Sequence, residues 1–217
     1  MSLITLDENS PSIHHLCKKD KRLSKVIDSI GSLTYEPYED DPYAFLVHEI
    51  IEQMLSIKAG AKIYQRLVDL CHGDLSPNNV SKLSFDEIKS TGTATSKVKF
   101  IQALTSAVLN NEISFLALSS LPDNEVYKGL TKLPGIGNWT ANMYLIFVLN
   151  RQDILPYDDA AFLQAYKWLY NARKLDKGTI IKKCKCWKPY SSIAARYLYK
   201  ALDTGLTKIN IAEFMEE

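Results

Sequence analysis

One short stretch of the sequence, Leu130–Asn142, combines residue types that suit a close approach to a phosphate. It reads LTKLPGIGNWTAN, so one helix is predicted to end near Leu130 and a second to begin near Asn138. Gly135 and Gly137 lack a Cβ atom, which lets the intervening turn bend sharply and lie close to another molecule. The first turn of a helix offers free N–H groups and a positive dipole end, and both favour an anion.

This arrangement is typical of a helix-hairpin-helix, which holds a nucleic acid by its backbone without reading base sequence. A helix–helix turn whose glycines serve only packing would show the same pattern. The charge distribution favours a polyanion as partner, because residues 160–200 carry ten Lys and Arg against one Asp, whereas residues 1–60 carry six against ten acidic residues. The net charge of +1 therefore hides one basic region. A solvated, lysine-rich helical surface is the alternative interpretation.

A second group able to do chemistry is the acidic pair Asp158 and Asp159, at the predicted start of another helix. Asp159 follows Trp139 by 20 residues. A carboxylate at a helix start can also serve simply as an N-cap that accepts a backbone N–H.

Helical periodicity accounts for most of the chain, and no long strand-like alternation is present. The clearest helix is predicted from Pro42 to Leu70, where apolar residues recur every three or four positions. Further helices are predicted at Ser84–Ser90, Ser96–Asn110, Ile113–Leu118, Pro122–Leu130, Asn138–Asn150, Asp159–Asn171 and Ser191–Thr204. The predicted fold class is all-α.

The composition is that of an ordinary folded protein, with 217 residues, 46% hydrophobic and 24% charged. Four scattered cysteines are too few for a disulfide scaffold, which indicates a reducing compartment. The longest apolar stretch, Met143–Leu149, falls far short of the roughly 20 residues that cross a bilayer. Cys184 and Cys186 lack the four-cysteine pattern of an iron–sulfur site, and the histidines lack zinc-ligand spacing. We expect a cytoplasmic, soluble protein that does not bind membranes.

Four motifs, in consistent order between about Leu23 and Leu202, resemble the helix-hairpin-helix DNA glycosylase superfamily, specifically its 3-methyladenine DNA glycosylase II branch. The family hairpin LPGIGxWTA is complete at residues 133–141. The family motifs IIxQQLSxxAA, TGLSxxK and WRPYRSxAAxYLW are similar to IIEQMLSIKAGA at 50–61, TGTATSK at 91–97 and WKPYSSIAARYLY at 187–199. Glu52 departs from the usual residue, and Ser191 replaces a frequent Arg.

The resemblance implies that an Asp at a helix start stabilises the sugar cation formed as the base departs. Family sequences place an apolar residue three positions after this Asp, which is Phe162 for Asp159 but Ala161 for Asp158. The spacing from Trp139 also agrees with Asp159, which is therefore the predicted catalytic residue. An N-cap is the alternative interpretation of Asp158.

Trp139 stands where the strand-cleaving members of the superfamily carry a Lys that attacks the sugar. Because Trp has no nucleophile, the resemblance implies base release without strand cleavage. Trp139 is then a wall of the base pocket, and Tyr199 matches the aromatic residue that stacks on the flipped base. An aromatic ring over a cationic alkylated purine would gain on the order of 0.5–2 kcal/mol. Without the resemblance, both residues would be interpreted as core aromatics.

The resemblance further implies a set of DNA contacts. Met54, with Gln53 beside it, matches the side chain that fills the gap left by the extruded nucleotide, although a Met at helical spacing usually lies in a core. The other residues assigned to DNA binding are Ser96, Lys97, Pro134, Gly135, Ile136, Gly137, Asn138 and Thr140. The backbone of Thr131, Leu133 and Ile136 is implied to hold a structural monovalent cation that bridges to a phosphate. No other cofactor is expected.

The architecture implied by the family is two helical lobes with a DNA-binding cleft. Residues 43–145, with the hairpin at 130–142, form one lobe, and residues 4–42 with 146–217 form the other. The implied function is a monofunctional, monomeric, bacterial-type glycosylase that removes alkylated purines, such as 3-methyladenine or 7-methylguanine, from damaged double-stranded DNA.

The sequence leaves two alternative functions open. One is a glycosylase for oxidised or deaminated bases, and the other is a non-catalytic DNA-binding protein. Trp139 in place of Lys disfavours lyase-type enzymes for oxidised bases, and the retained Asp159 disfavours the non-catalytic protein.

Overall fold

Helices make up most of the chain in the computed structural model, which describes residues 3–216. The all-α prediction is confirmed. Glu217, the last residue of the predicted second lobe, lies outside the described residues. The chain forms two compact units. Tyr38–Leu149 is called the central unit, and the segments before Tyr38 and after Leu149 together form the terminal unit.

The first segment of the terminal unit contains two short strands and two helices. These are β1 (Ile4–Leu6), α1 (Pro11–Lys19), α2 (Lys21–Ile30) and β2 (Leu33–Tyr35). β1 and β2 pair antiparallel, with Thr5 opposite Thr34. The strands were not predicted because three residues are too few to show alternation. Asp20 begins α2 as its N-cap, accepting hydrogen bonds from the N–H groups of Arg22 and Leu23.

The described residues of the central unit form helices and connecting turns, with no strand. Its helices are α3 (Pro42–Glu52), α4 (Ile57–Leu70), α5 (Pro77–Val80), α6 (Phe85–Ser90), α7 (Thr95–Leu109), α8 (Phe115–Ser120), α9 (Asp123–Thr131) and α10 (Asn138–Met143), followed by a π-helical turn at Tyr144–Val148. α3 packs against α4 and α7, and its residues Leu46, Val47 and Ile50 are fully buried. These apolar contacts supply the core on which the hairpin is built.

The continuous helix predicted over Pro42–Leu70 is wrong. α3 ends at Glu52, and α4 begins at Ile57 with Ser56 as its N-cap, the Ser56 hydroxyl accepting the N–H of Ala59 at 3.3 Å. Met54 and Leu55 within the break are apolar and continue the helical period, so the pattern ran across a segment in which the chain leaves the helix.

The second segment of the terminal unit contains α11 (Ala160–Tyr170), α12 (Lys177–Cys184), α13 (Ser191–Asp203) and α14 (Ile211–Glu216). Its core joins the two segments, because Leu16 and Leu23 belong to the same buried cluster as Phe162, Trp187 and Leu198. Within residues 3–216, no helix combines the length and the apolar character that crossing a membrane requires.

Candidate active site

The hairpin predicted at 130–142 is present as two helices and a tight turn. α9 ends at Thr131, α10 begins at Asn138, and the N–H of Ile136 donates to the carbonyl of Leu133 at 3.1 Å within the turn. Ile136 is 3% exposed and anchors the turn in the central core. Its neighbours Pro134, Gly137 and Asn138 are exposed. The turn therefore presents backbone outward while one side chain points inward.

The two glycines of the hairpin have different physical roles. Gly135 has φ of +83°, a left-handed conformation, and a methyl group there would overlap the ring of Phe100. Gly137 has φ of −94° and ψ of −172°, which any residue can adopt, and no heavy atom lies within 4 Å of the position of a Cβ. Gly135 is thus required by the fold. At Gly137, the absence of a side chain leaves the outward-facing backbone of the turn uncovered.

The segment between α3 and α4 projects an apolar side chain into solvent. Met54 has an exposed fraction of 101% and a left-handed φ of +59°, and Ile57 is 82% exposed. A left-handed conformation costs a non-glycine residue roughly 1–2 kcal/mol. We call residues 53–57 the tip. The side chain of Met54 contributes no packing to the fold, so the alternative interpretation of Met54 as a core residue is wrong.

Two long side chains, one from α7 and one from the tip itself, hold the tip in place. Lys97 in the first turn of α7 donates from Nζ to the carbonyl oxygens of Ile51, at 2.8 Å, and Gln53, at 2.5 Å. Gln53 donates from Nε2 to the carbonyl of Gly135 at 2.8 Å and lies 3.3 Å from the Thr140 hydroxyl. Burial lowers the pKa of the Lys97 ammonium. The tip and the hairpin are therefore joined directly by Gln53.

The two acidic residues at the start of α11 differ in burial and in hydrogen bonding. Asp159 is the N-cap, its Oδ1 accepting the N–H of Phe162 at 2.7 Å, and it is 9% exposed. Asp158 is exposed. The capping role considered for Asp158 therefore falls to Asp159. Phe162 is fully buried and meets the Trp187 ring edge-on at 6.3 Å, which fixes the helix that carries Asp159.

The aromatic residues assigned to the base pocket lie on different helices. Trp139 is on α10 and Tyr199 on α13, and both are partly buried. One turn before Tyr199 on α13, Arg196 places its guanidinium 4.0 Å from the centre of the Tyr35 ring. Burial lowers the pKa of Arg196, and the neighbouring tyrosines oppose this shift. Sequence reasoning missed Arg196 because it occupies an unspecified position of the family motif.

The two departures from the family pattern have local partners. Glu52 lies 3.4 Å from Nε2 of His48, and the absence of a side chain at Gly60 leaves room for it. Acceptance of a hydrogen bond by Glu49 is the main cause that raises the pKa of His48. Ser191 donates from Oγ to Oδ1 of Asp153 at 2.6 Å, so this position serves the start of α13. Ser96, also assigned to DNA, is exposed on the first turn of α7.

Side-chain metal ligands do not cluster in the part of the chain that the structure describes. Burial raises the pKa of the Cys184 thiol well above its usual range, and the pKa of Cys186 is raised for the same reason. Both shifts disfavour the thiolate, which is the reactive form of cysteine.

Comparison with known proteins identifies the family. Residues 47–189 match the family described as HhH-GPD superfamily base excision DNA repair protein. Since this match covers well over half of the chain, the protein belongs to the HhH-GPD superfamily, and the predicted resemblance is confirmed.

Particular relatives are similar over nearly the whole chain. DNA-3-methyladenine glycosylase 1 of Schizosaccharomyces pombe is 27% identical over 194 residues, covering 86% of this chain and 84% of the relative. The crystal structure of a DNA-3-methyladenine glycosidase from Bacillus halodurans has a TM-score of 0.87 at 31% identity and covers 99% of this chain and 100% of that chain. The S. pombe enzyme Mag1 in complex with abasic DNA has a TM-score of 0.79 at 26% identity, covering 88% and 96% of the two chains.

Proposed function

We propose that this protein is a monofunctional DNA glycosylase that acts as a monomer and hydrolyses the N-glycosidic bond of alkylated purines in double-stranded DNA. The observation that carries the proposal is Asp159, a buried carboxylate fixed at the start of α11 in a chain whose relatives are named DNA-3-methyladenine glycosylases. Every residue to which the proposal assigns a role belongs to this one chain.

The chemistry needs little beyond one well-placed negative charge. An alkylated purine such as 3-methyladenine is cationic, so its bond to the sugar is already weakened. As the base departs, positive charge develops on the deoxyribose, and a fixed carboxylate stabilises that charge. The hydrogen bond from Phe162 N–H holds the Asp159 carboxylate in one orientation. Such preorganisation spares the group from reorienting during the reaction.

DNA binding is assigned to the hairpin and the tip. The exposed backbone around Gly137 and Asn138 suits the close approach of a phosphate, and the helix that follows contributes its positive end. Met54 is the side chain proposed to enter the duplex when the target nucleotide leaves the stack. Its full exposure supports this role, because nothing in the fold has to move to release it.

The hairpin carbonyls fit a monovalent cation. Backbone carbonyl oxygens at a tight turn are the ligands that alkali cations take in proteins. The carbonyl of Leu133 accepts the N–H of Ile136 and retains a second lone pair. We propose that Thr131, Leu133 and Ile136 hold the cation, which would supply positive charge beside a phosphate.

Recognition of the base is assigned to aromatic residues, and strand cleavage is not expected. Tyr199 is the proposed stacking partner of a cationic base. Trp139 cannot form a Schiff base with the sugar, since it lacks an amine. Hydrolysis should therefore end at an abasic site.

Base release from methylated genomic DNA, with chromatographic separation of the products, tests the proposal. We expect free 3-methyladenine or 7-methylguanine and intact strands until the abasic sites are cleaved chemically. Borohydride added during the reaction should trap no protein–DNA adduct. Release of only oxidised or deaminated bases from matched substrates would contradict the substrate class, and efficient trapping would contradict the monofunctional mechanism.

A further inference from the structure

The tip holds an unfavourable backbone conformation at Met54 that the Met54 side chain does not stabilise. Met54 is left-handed and fully exposed, so neither its φ nor its side chain is secured by packing. A non-glycine residue stays in this region only when its surroundings impose it. Hydrogen bonds to the flanking backbone therefore hold the left-handed conformation of Met54.

Those bonds come from Lys97 and Gln53. The Lys97 ammonium joins the carbonyls of Ile51 and Gln53, which stand at the end of α3 where intrahelical donors are no longer available. The Gln53 amide joins the segment immediately before Met54 to the hairpin turn at Gly135. Met54 thus follows a residue that is held through both its backbone carbonyl and its side chain.

We propose that Lys97 and Gln53 are positioning residues that keep Met54 projected from the protein before DNA binds. On this view Lys97 is not a phosphate contact, because two of its three N–H groups serve protein carbonyls. A tip that is already in its working conformation spares the ordering cost of forming it on the duplex. The inference rests on the proposed function in one respect, the entry of Met54 into the duplex.

A double-mutant cycle in single-turnover base release tests the proposal. The variants are Lys97→Met, Met54→Ala and the combination, with Lys99→Met as the matched control that removes an exposed charge from the same helix. Lys97→Met should slow base release roughly tenfold in the wild-type background and less than about twofold in the Met54→Ala background. Equal losses in both backgrounds would overturn the proposal.

The salt dependence of DNA binding separates positioning from phosphate contact. Loss of one phosphate contact lowers the slope of log affinity against log salt by about one. We expect Lys97→Met to leave this slope unchanged, and Lys97→Arg to restore base release by donating to the same carbonyls. A slope reduced by about one in Lys97→Met would overturn the proposal.

Two further measurements keep the test decisive. If Lys97→Met does not fold, Gln53→Met, which keeps the side-chain length and removes the donor to Gly135, enters the same cycle. If the wild type releases no alkylated base, the proposed function fails, and the cycle is then measured by the fluorescence of 2-aminopurine opposite an abasic-site analogue. A fluorescence increase that depends on Lys97 only when Met54 is present supports positioning, and any other dependence overturns it.

Discussion

The start of α11 and the tip both depart from the usual placement of charged residues outside and apolar residues inside. At the start of α11 a carboxylate is buried, with Asp159 only 9% exposed, whereas at the tip an apolar side chain is exposed, with Met54 at 101%. A buried carboxylate is unusual in a folded protein, and Met54 is the most exposed large apolar side chain among the described residues. These are also the two positions to which the proposed mechanism assigns charge stabilisation and entry into DNA.

The two regions differ in how they are held. Asp159 accepts a hydrogen bond from its own helix, three residues away, and that helix packs through Phe162 against Trp187. The tip is fixed by Lys97 and by the bond from Gln53 to Gly135, which join residues 44 and 82 positions apart. The proposed catalytic carboxylate is therefore oriented by a bond within one helical turn, and the side chain proposed to enter DNA by bonds between distant segments.

The largest effect is expected at the buried carboxylate. Asp159→Asn keeps an oxygen for the N–H of Phe162 and removes the charge, so base release should fall at least ~100-fold. Unfolding temperature and affinity for abasic-site DNA should stay near wild type. Single-turnover rates measure the loss, with the exposed Asp158→Asn as the control. An inactive Asp158 variant beside an active Asp159 variant would reverse the assignment.

The next effect is expected at the two hairpin glycines, of which Gly135 accepts a hydrogen bond from the tip. Gly135→Ala should lower the free energy of unfolding by about 2–4 kcal/mol, because it adds a left-handed alanine and overlaps the Phe100 ring. Gly137→Ala should leave stability within about 0.5 kcal/mol and weaken DNA binding instead. Denaturant unfolding and binding titrations measure the two. Wild-type DNA affinity in Gly137→Ala would show that the hairpin is only a packing turn.

A smaller effect is expected from removing the exposed side chain itself. Met54→Ala should slow base release about tenfold, since an inserted side chain offsets unstacking that costs a few kcal/mol. Its thermal stability should not change, because Met54 packs against nothing in the fold. Leu116→Ala, which removes another exposed apolar side chain of the central unit, is the control. Equal behaviour of the two variants would remove Met54 from the mechanism.

The smallest effects are expected on the lysine-rich surface of the terminal unit. Lys182→Ala and Lys185→Ala should each lower the salt slope of DNA binding by about one if they meet phosphates. Lys188 donates to Asp153 at 3.1 Å and Lys183 lies 4.8 Å from the Tyr170 ring centre, so their substitutions should change the slope less. Unchanged slopes for Lys182 and Lys185 would confine DNA binding to other surfaces.

The sequence predicted the local features and missed those set by distant contacts. Asp159 is preferred to Asp158 because the family pattern places an apolar residue, here Phe162, three positions later, and both residues lie in the first turn of α11. The catalytic role of Asp159 stays a prediction. The break after Glu52 could not be found, because Met54 continues the apolar period and the broken segment is bonded to Lys97 and Gly135, which are far along the chain. The roles of Gly135 and Gly137 were equally hidden, since the left-handed φ of Gly135 and its contact with Phe100 separate them only in the folded structure.

The discontinuous terminal unit has a consequence for the order in which the chain folds during synthesis. Leu16, Leu23 and Val26 belong to a core whose other half includes Phe162, Trp187 and Leu198. At about 5–20 residues per second, the ribosome delivers that other half roughly 10–30 s after α2 emerges. The whole central unit is synthesised within that interval. During this time the apolar faces of α1 and α2 stay exposed to solvent. These helices are therefore a segment of the nascent chain that benefits from chaperone protection.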